Sequence, residues 1–149
     1  MIKKFIPVSR PFIDKSDVNF VRKFCLEKGL IGPSKIISNF ENVISNDLKM
    51  KFAVATNSGT SALITAVAAL QLPKNSKILI PNSTIISVLN AVILNNHKPI
   101  FCDVDVNDWN ISLDEVKRLC NKHKISACIL VENFNSASKE HSSIISFLK

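Results

Sequence analysis

The residues best suited to chemistry form a short turn between a predicted strand and a predicted helix. Residues 52–56 favour a buried strand, residues 57–60 a tight turn, and the Ala- and Leu-rich residues 61–71 a helix. The first N–H groups of that helix have no intrahelical partner, and the helix dipole favours an anion beside them. Gly59 would let the anion approach the backbone, and the Thr60 hydroxyl would donate a further hydrogen bond. A plain strand-to-helix turn with a cap is the alternative interpretation, and the residues alone leave both open.

Acidic residues provide weaker candidates. Asp103 and Asp105 could serve a metal ion or acid–base chemistry, but they come at the end of a predicted strand, where capping of loop 107–110 is favoured. Glu132 follows the last predicted strand, at the sheet edge where open α/β folds bind ligands, but the sequence shows no partner for it. Trp109 is expected to be a packed loop residue. Because the sequence has no Walker loop, Gly-x-Ser-x-Gly or Gly-x-Gly-x-x-Gly motif, we predict no catalytic residue in it.

The cysteines and histidines lack the spacing of a metal site. The four cysteines include no Cys-x-x-Cys pair and the three histidines are scattered, so no metal is expected. Cys102 and Cys128 fall in apolar runs that are predicted to be strands. We expect both to be small buried hydrophobic residues of a protein in a reducing compartment.

Strands alternate with helices from residue 51 onward, and this order places the turn within a larger sheet. The alternation predicts an α/β fold with a mostly parallel sheet covered by helices on both faces. Residues 1–50 are expected to form an N-terminal arm and two helices, capped by Asp14 and Ser34, with the first helix ending at Gly29. Residues 51–149 are expected to form the α/β domain. Its other predicted elements are strands at 77–80, 99–103 and 126–131 and helices at 84–95, 112–120 and 138–149.

The composition limits the classes of partner and location. The chain has 149 residues, of which 46% are hydrophobic and 21% charged, and a net charge of +7. Its lysines are spread out, with no dense basic run and no interleaved aromatic residues, so nucleic-acid binding is not expected. No apolar run approaches the ~20 residues of a membrane span, and the N-terminus lacks the apolar stretch of a signal peptide. We therefore expect a cytoplasmic protein without membrane contact.

Five segments occur in an order and spacing that are specific when taken together. They are residues 6–11 (IPVSRP), residues 32–41 (GP followed by FE), residues 53–63 (AVATNSGTSAL), residues 80–92 (IP, a threonine and NAV) and residues 98–111 (KPIFCDVD followed by WNI). This series resembles the DegT/DnrJ family of pyridoxal-phosphate (PLP) dependent sugar aminotransferases, and its last segment is typical of perosamine-synthetase-like members. The resemblance covers nearly the whole chain.

The resemblance implies a fold, a cofactor and a substrate class. The expected fold is a partial three-layer α/β domain, part of the large domain of the aspartate-aminotransferase type (PLP fold type I). The expected reaction transfers an amino group, usually from glutamate, to a nucleotide-linked keto-sugar for polysaccharide biosynthesis, in a homodimer. By position in the family motifs, Gly59 and Thr60 would contact the PLP phosphate. Ile85 would pack on the pyridine ring, where the family usually has an aromatic residue.

Two departures from the family pattern bear on activity. The family's Pro-Val-His-Leu-Tyr-Gly corresponds to residues 130–135 (LVENFN), so the turn is expected to differ. The sequence ends at Lys149, before the family's aspartate that pairs with the pyridine nitrogen and its Schiff-base lysine. We therefore expect an N-terminal fragment that is inactive alone, binds PLP weakly at best, and could pair with a missing C-terminal half. The alternatives are a non-catalytic module that binds a phosphate or a partner, a relic of such an enzyme, and an unrelated nucleotide-binding domain.

Overall fold

The computed structural model of the protein describes residue 7 and residues 9–26, 35–133 and 138–149. The chain divides into two compact units, with the boundary between Ala55 and Thr56. The predicted helix end at Gly29, the predicted Ser34 cap and residues 134–135 of the altered turn lie outside the described residues. No helix in the described part of the chain is long and apolar enough to cross a membrane.

The first unit is helical in its described residues. Asp14 caps its first helix, because its carboxylate accepts hydrogen bonds from the N–H groups of Ser16 (2.7 Å) and Asp17 (3.1 Å). The cap predicted at Asp14 is therefore confirmed. The elements of this unit are helix α1 (Lys15–Val21), a π-helical turn (Arg22–Leu26) and helix α2 (Lys35–Asp47).

The strand predicted at residues 52–56 is not formed. Its backbone joins no sheet among the described residues, and the Phe52 and Val54 side chains are 75% and 77% exposed. The Ala55 N–H instead donates a hydrogen bond to the Glu41 carboxylate at 2.8 Å. An apolar run becomes a strand only where another strand supplies its backbone partners, so this prediction was wrong for lack of a neighbouring strand.

The second unit alternates helices and strands, which confirms the predicted fold class. Its elements are α3 (Gly59–Ala69), β1 (Lys77–Pro81), α4 (Ile86–Leu94), β2 (Lys98–Cys102), α5 (Leu113–Lys122), β3 (Ile125–Cys128) and α6 (His141–Leu148). The three strands form one parallel sheet in the order β2-β1-β3. Lys77 of β1 is in register with Lys98 of β2 and with Ile125 of β3.

The two faces of the sheet bury separate apolar clusters. Because side chains alternate along a strand, Ile78 and Ile80 of β1 pack against α3 and α4, whereas Leu79 packs against α5 and α6. All three side chains are fully buried, and burial of each stabilises the fold by ~1.5–3 kcal/mol. Helices therefore cover both faces, and the strands between them point their carboxyl ends to one edge.

Candidate functional site

The carboxyl edge of the sheet gathers the loops that hold the predicted site residues. Loops 82–85, 103–112 and 129–133 follow β1, β2 and β3, so they start at the same edge. The short connection 70–76 leads from the end of α3 to the start of β1, so α3 begins on the side of the carboxyl edge. This is the edge at which open parallel sheets bind ligands.

The start of α3 is both a capped turn and a set of free donors. The Ser58 hydroxyl accepts a hydrogen bond from the Ser61 N–H at 3.1 Å, and the Ser58 carbonyl accepts one from the Ala62 N–H at 3.0 Å. Among the described residues, the N–H groups of Gly59 and Thr60 have no hydrogen-bond partner. The cap therefore satisfies only part of the helix end, and two donors at the positive end of the helix dipole remain for an anion.

The space beside Gly59 is open. Apart from its two chain neighbours and the backbone of its own helix, no heavy atom of the described residues lies within 4 Å of a Cβ atom placed on this residue. The φ angle of Gly59 also lies outside the positive range that favours glycine. Neither packing nor backbone conformation thus requires glycine here, whereas close approach of an anion to the N–H groups would.

Ile85 stands at the start of α4 and presents an apolar surface. Its side chain is 67% exposed, and it precedes a helix that has no side-chain cap. Next to it, the Thr84 hydroxyl oxygen is buried and has no hydrogen-bond partner among the described residues. Helices α3 and α4 pack on the same face of β1, so Gly59, Thr60 and Ile85 belong to neighbouring helix starts.

Asn133 links the loops of this edge, and the sequence did not single it out. Its Nδ2 group donates to the carbonyl of Ser83 at 2.9 Å and to that of Trp109 at 2.7 Å. Its backbone N–H donates to Oδ1 of Asn110 at 3.2 Å. A neighbouring bond joins Nδ2 of Asn82 to the Asp103 carboxylate at 2.9 Å. The only local signal for Asn133 is an amide side chain just beyond a strand.

The acidic candidates lie in the loops of the carboxyl edge, where Asp105 has a structural role. Asp105 Oδ1 accepts hydrogen bonds from the Asn107 N–H (2.7 Å) and Nδ2 (2.8 Å), and these bonds hold the pKa of the Asp105 carboxyl below its usual value. The favoured loop-capping role is therefore confirmed. The Oε1 atom of Glu132 lies 3.3 Å from Nδ1 of His141. Among the residues that the structure describes, no three His, Cys, Asp or Glu side chains are grouped to hold a metal ion.

Two further predictions concern the burial of Trp109 and of the cysteines Cys102 and Cys128. Trp109 was expected to be packed, but its side chain is 53% exposed and its φ is +59°, because the loop turns sharply at this residue. Cys102 is buried as expected, whereas Cys128 is only partly accessible. Removal from water raises the pKa of both thiols to about 12, so neither is a reactive thiolate at neutral pH.

Comparisons with known proteins find a matching family and related proteins for this chain. A model of the DegT/DnrJ/EryC1/StrS aminotransferase family matches residues 11–138. GDP-perosamine synthase of Vibrio cholerae is 28% identical over 133 residues, which cover 89% of this chain and 36% of that protein. Spore coat polysaccharide biosynthesis protein SpsC of Bacillus subtilis is 33% identical over 113 residues, covering 76% of this chain and 28% of that protein. The chain thus spans about a third of the length of these relatives.

Solved structures share the fold. Helicobacter pylori PseC, an aminotransferase involved in the biosynthesis of pseudoaminic acid, superposes with a TM-score of 0.84 at 23% identity, covering 95% of this chain and 38% of that chain. An Escherichia coli GDP-4-keto-6-deoxy-D-mannose-3-dehydratase with bound hydrated PLP gives a TM-score of 0.76 at 21% identity, covering 94% and 38%. At these identities the likeness shows the fold alone, and it agrees with the predicted large-domain architecture.

Proposed function

The chain belongs to the DegT/DnrJ/EryC1/StrS aminotransferase family, and from this premise we propose that it holds the phosphate and one ring face of PLP. The observation that carries the proposal is the start of α3, where the N–H groups of Gly59 and Thr60 are free and the adjacent space is open. These features fit a phosphate, because a dianion can approach both donors and the helix dipole favours its charge. The Thr60 hydroxyl would add a third donor.

Ile85 fits the other part of the cofactor. Its exposed side chain at the start of α4 would pack against the pyridine ring and shield one face from water. An aliphatic side chain contributes apolar contact but lacks the ~0.5–1.5 kcal/mol stacking preference of an aromatic residue. When bound, PLP supplies the electron sink for amino-group transfer, and the residues of this chain bind and orient it.

The substrate class follows from the relatives. We propose that the working enzyme transfers an amino group from a donor such as glutamate to a nucleotide-linked keto-sugar, as a homodimer in the cytoplasm. GDP-perosamine synthase and SpsC are named for sugar and polysaccharide biosynthesis, which supports this class. The free donors at the start of α3 and the exposed Ile85 side chain support cofactor positioning as the role of this part of the enzyme.

One observation favours a second function. Ile85 replaces the aromatic residue that the family usually carries, which suits a module that binds a phosphate without selecting the ring. The two functions differ in one measurable quantity, the ratio of the affinities for a pyridine-ring phosphate and for inorganic phosphate. A large ratio supports cofactor positioning, and a ratio near one supports the non-catalytic module.

Trp109 provides the assay, because it is the single tryptophan of the chain and is exposed in a loop of the carboxyl edge. Pyridoxamine phosphate is the probe, since it carries the ring and the phosphate but cannot form a Schiff base with surface lysines. We expect saturable quenching of Trp109 emission, with competition by inorganic phosphate. Absence of saturable quenching contradicts the proposal.

Thr60→Val tests the phosphate contact. This change removes the hydroxyl at nearly constant shape, so we expect the dissociation constant of pyridoxamine phosphate to rise ~10-fold. Thr65→Val, an exposed position further along α3, is the matched control and should leave the constant unchanged. Equal effects of the two variants would exclude the proposed contact.

A further inference from the structure

Asn133 joins three loops that the sheet only brings near one another. Its side-chain amide donates to Ser83, in the loop after β1, and to Trp109, in the loop after β2. Its backbone lies in the segment after β3 and donates to the Asn110 side chain. A single residue therefore connects the segments that follow all three strands.

The chemistry of this connection requires an amide. Both side-chain bonds end on carbonyl oxygens, at 2.9 Å and 2.7 Å, so the group between them must donate twice from one nitrogen. A carboxylate of the same shape would donate no hydrogen bond and would repel both carbonyl oxygens. Asn110 strengthens the connection, because it is fully buried and its carbonyl accepts the Asp105 N–H at 2.8 Å.

The Ser83 bond lies two residues before Ile85, which is proposed to face the cofactor ring. Ser83 precedes Thr84 and Ile85, and α4 begins immediately afterwards without a side-chain cap. The path of the chain into α4 is thus held at the Ser83 carbonyl by Asn133 rather than by a capping side chain. In contrast, Gly59 and Thr60 lie at the start of α3 and share no hydrogen bond with Asn133 among the described residues.

We infer that Asn133 is a positioning residue that sets the orientation of Ile85 against the cofactor ring and leaves the phosphate contacts unaffected. This inference rests on the proposed PLP site. It assigns a specific role to the turn at which the chain departs from its family pattern. A residue with a merely structural role would weaken phosphate and ring binding together, whereas Asn133 acts on the ring alone.

The test compares Asn133→Asp with Asn95→Asp. Asn95 is a matched control, because its Nδ2 also donates to two carbonyls, those of Ile64 (3.0 Å) and Ala91 (2.8 Å), but at the opposite end of α4. Trp109 quenching gives the affinity of each variant for pyridoxamine phosphate, and competition gives that for inorganic phosphate. Hydrogen exchange of the peptides that contain residues 83–86 and 109–110 reports the loops without any ligand.

We expect Asn133→Asp to raise the dissociation constant of pyridoxamine phosphate about tenfold, which is the size of effect expected when two hydrogen bonds are lost. The affinity for inorganic phosphate should be unchanged. Exchange should accelerate at residues 83–86 and 109–110 in this variant and not in Asn95→Asp. Asn133→Ala removes the donors without adding charge and should show the same pattern. This variant replaces Asn133→Asp in the test if Asn133→Asp does not fold.

Four results overturn the inference. They are unchanged loop exchange, an unchanged affinity of Asn133→Asp for pyridoxamine phosphate, an equal loss of affinity for both ligands, and an equal effect of Asn95→Asp on pyridoxamine phosphate affinity. If the unchanged protein binds no pyridoxamine phosphate, the proposed function fails and the cofactor role of Asn133 fails with it. The exchange data then decide separately whether Asn133 holds the loops. If the unchanged protein binds and Asn133→Asp binds equally well, the inference alone fails.

Discussion

Replacing Gly59 by alanine should move stability and ligand affinity in opposite directions. Apart from its chain neighbours and the backbone of its own helix, the new Cβ would meet no heavy atom of the described residues within 4 Å, and Gly59 does not occupy the positive-φ region. Gly59 is also the first residue of α3, where alanine is compatible with the backbone. Gly59→Ala should therefore stabilise the fold by ~0.4–1 kcal/mol, chiefly because it restricts the unfolded chain.

The same methyl group should weaken anion binding. It would stand in the open space beside the free N–H groups of Gly59 and Thr60 and would keep a phosphate from approaching them. Loss of one hydrogen bond to a charged group costs ~1.5–3 kcal/mol. The dissociation constant for pyridoxamine phosphate should consequently rise by roughly 10- to 100-fold.

Urea unfolding measures the stability, and Trp109 quenching measures the affinity. Ala66→Gly is the control of opposite sign, because it introduces glycine at an exposed interior position of α3. That change should lower the free energy of unfolding by ~1 kcal/mol and leave the affinity unchanged. The reasoning is refuted if Gly59→Ala destabilises the protein, because the space beside Gly59 would then not be open. Unchanged affinity in Gly59→Ala would refute the assignment of this turn to an anion.

Three further predictions concern separate features. Ser112→Ala should lower the free energy of unfolding by ~1 kcal/mol in urea, since the Ser112 hydroxyl caps α5 by accepting the Glu115 N–H at 3.2 Å; Ser142→Ala, at an exposed position of α6, should have no effect. Ile85→Phe should lower the dissociation constant of pyridoxamine phosphate by roughly 2- to 10-fold through ring stacking and leave that of inorganic phosphate unchanged. An equal decrease for both ligands would contradict the assignment of Ile85 to the ring. A thiol reagent at pH 8 should label exposed Cys25 in the folded protein, but should label Cys102 and Cys128 only after unfolding. Burial raises the pKa of these two thiols to about 12, and only thiolates react with the reagent. Rapid labelling of Cys102 or Cys128 in the folded state would contradict this prediction.

The local sequence determined the alternation of elements and the character of the turn at residues 57–60. The apolar runs at residues 77–80, 99–103 and 126–131 predicted β1, β2 and β3, because a short apolar run indicates a buried strand even before its neighbour is known. The Ser112 cap was predictable for a similar reason, because a cap is made within one helical turn. The free donors at Gly59 and Thr60 likewise follow from the start of a helix.

Only the tertiary structure decided which segments find partners. Residues 52–56 have the apolar pattern of a strand, yet strand formation depends on backbone groups from elsewhere in the chain, and the described residues supply none. Trp109 is exposed because its loop turns through a positive φ, which the surrounding residues do not dictate. Asn133 became visible as a link only when three parallel strands brought Ser83, Trp109 and Asn110 to one edge. Contacts between residues 23 to 50 positions apart depend on strand order and register, and no local pattern encodes them.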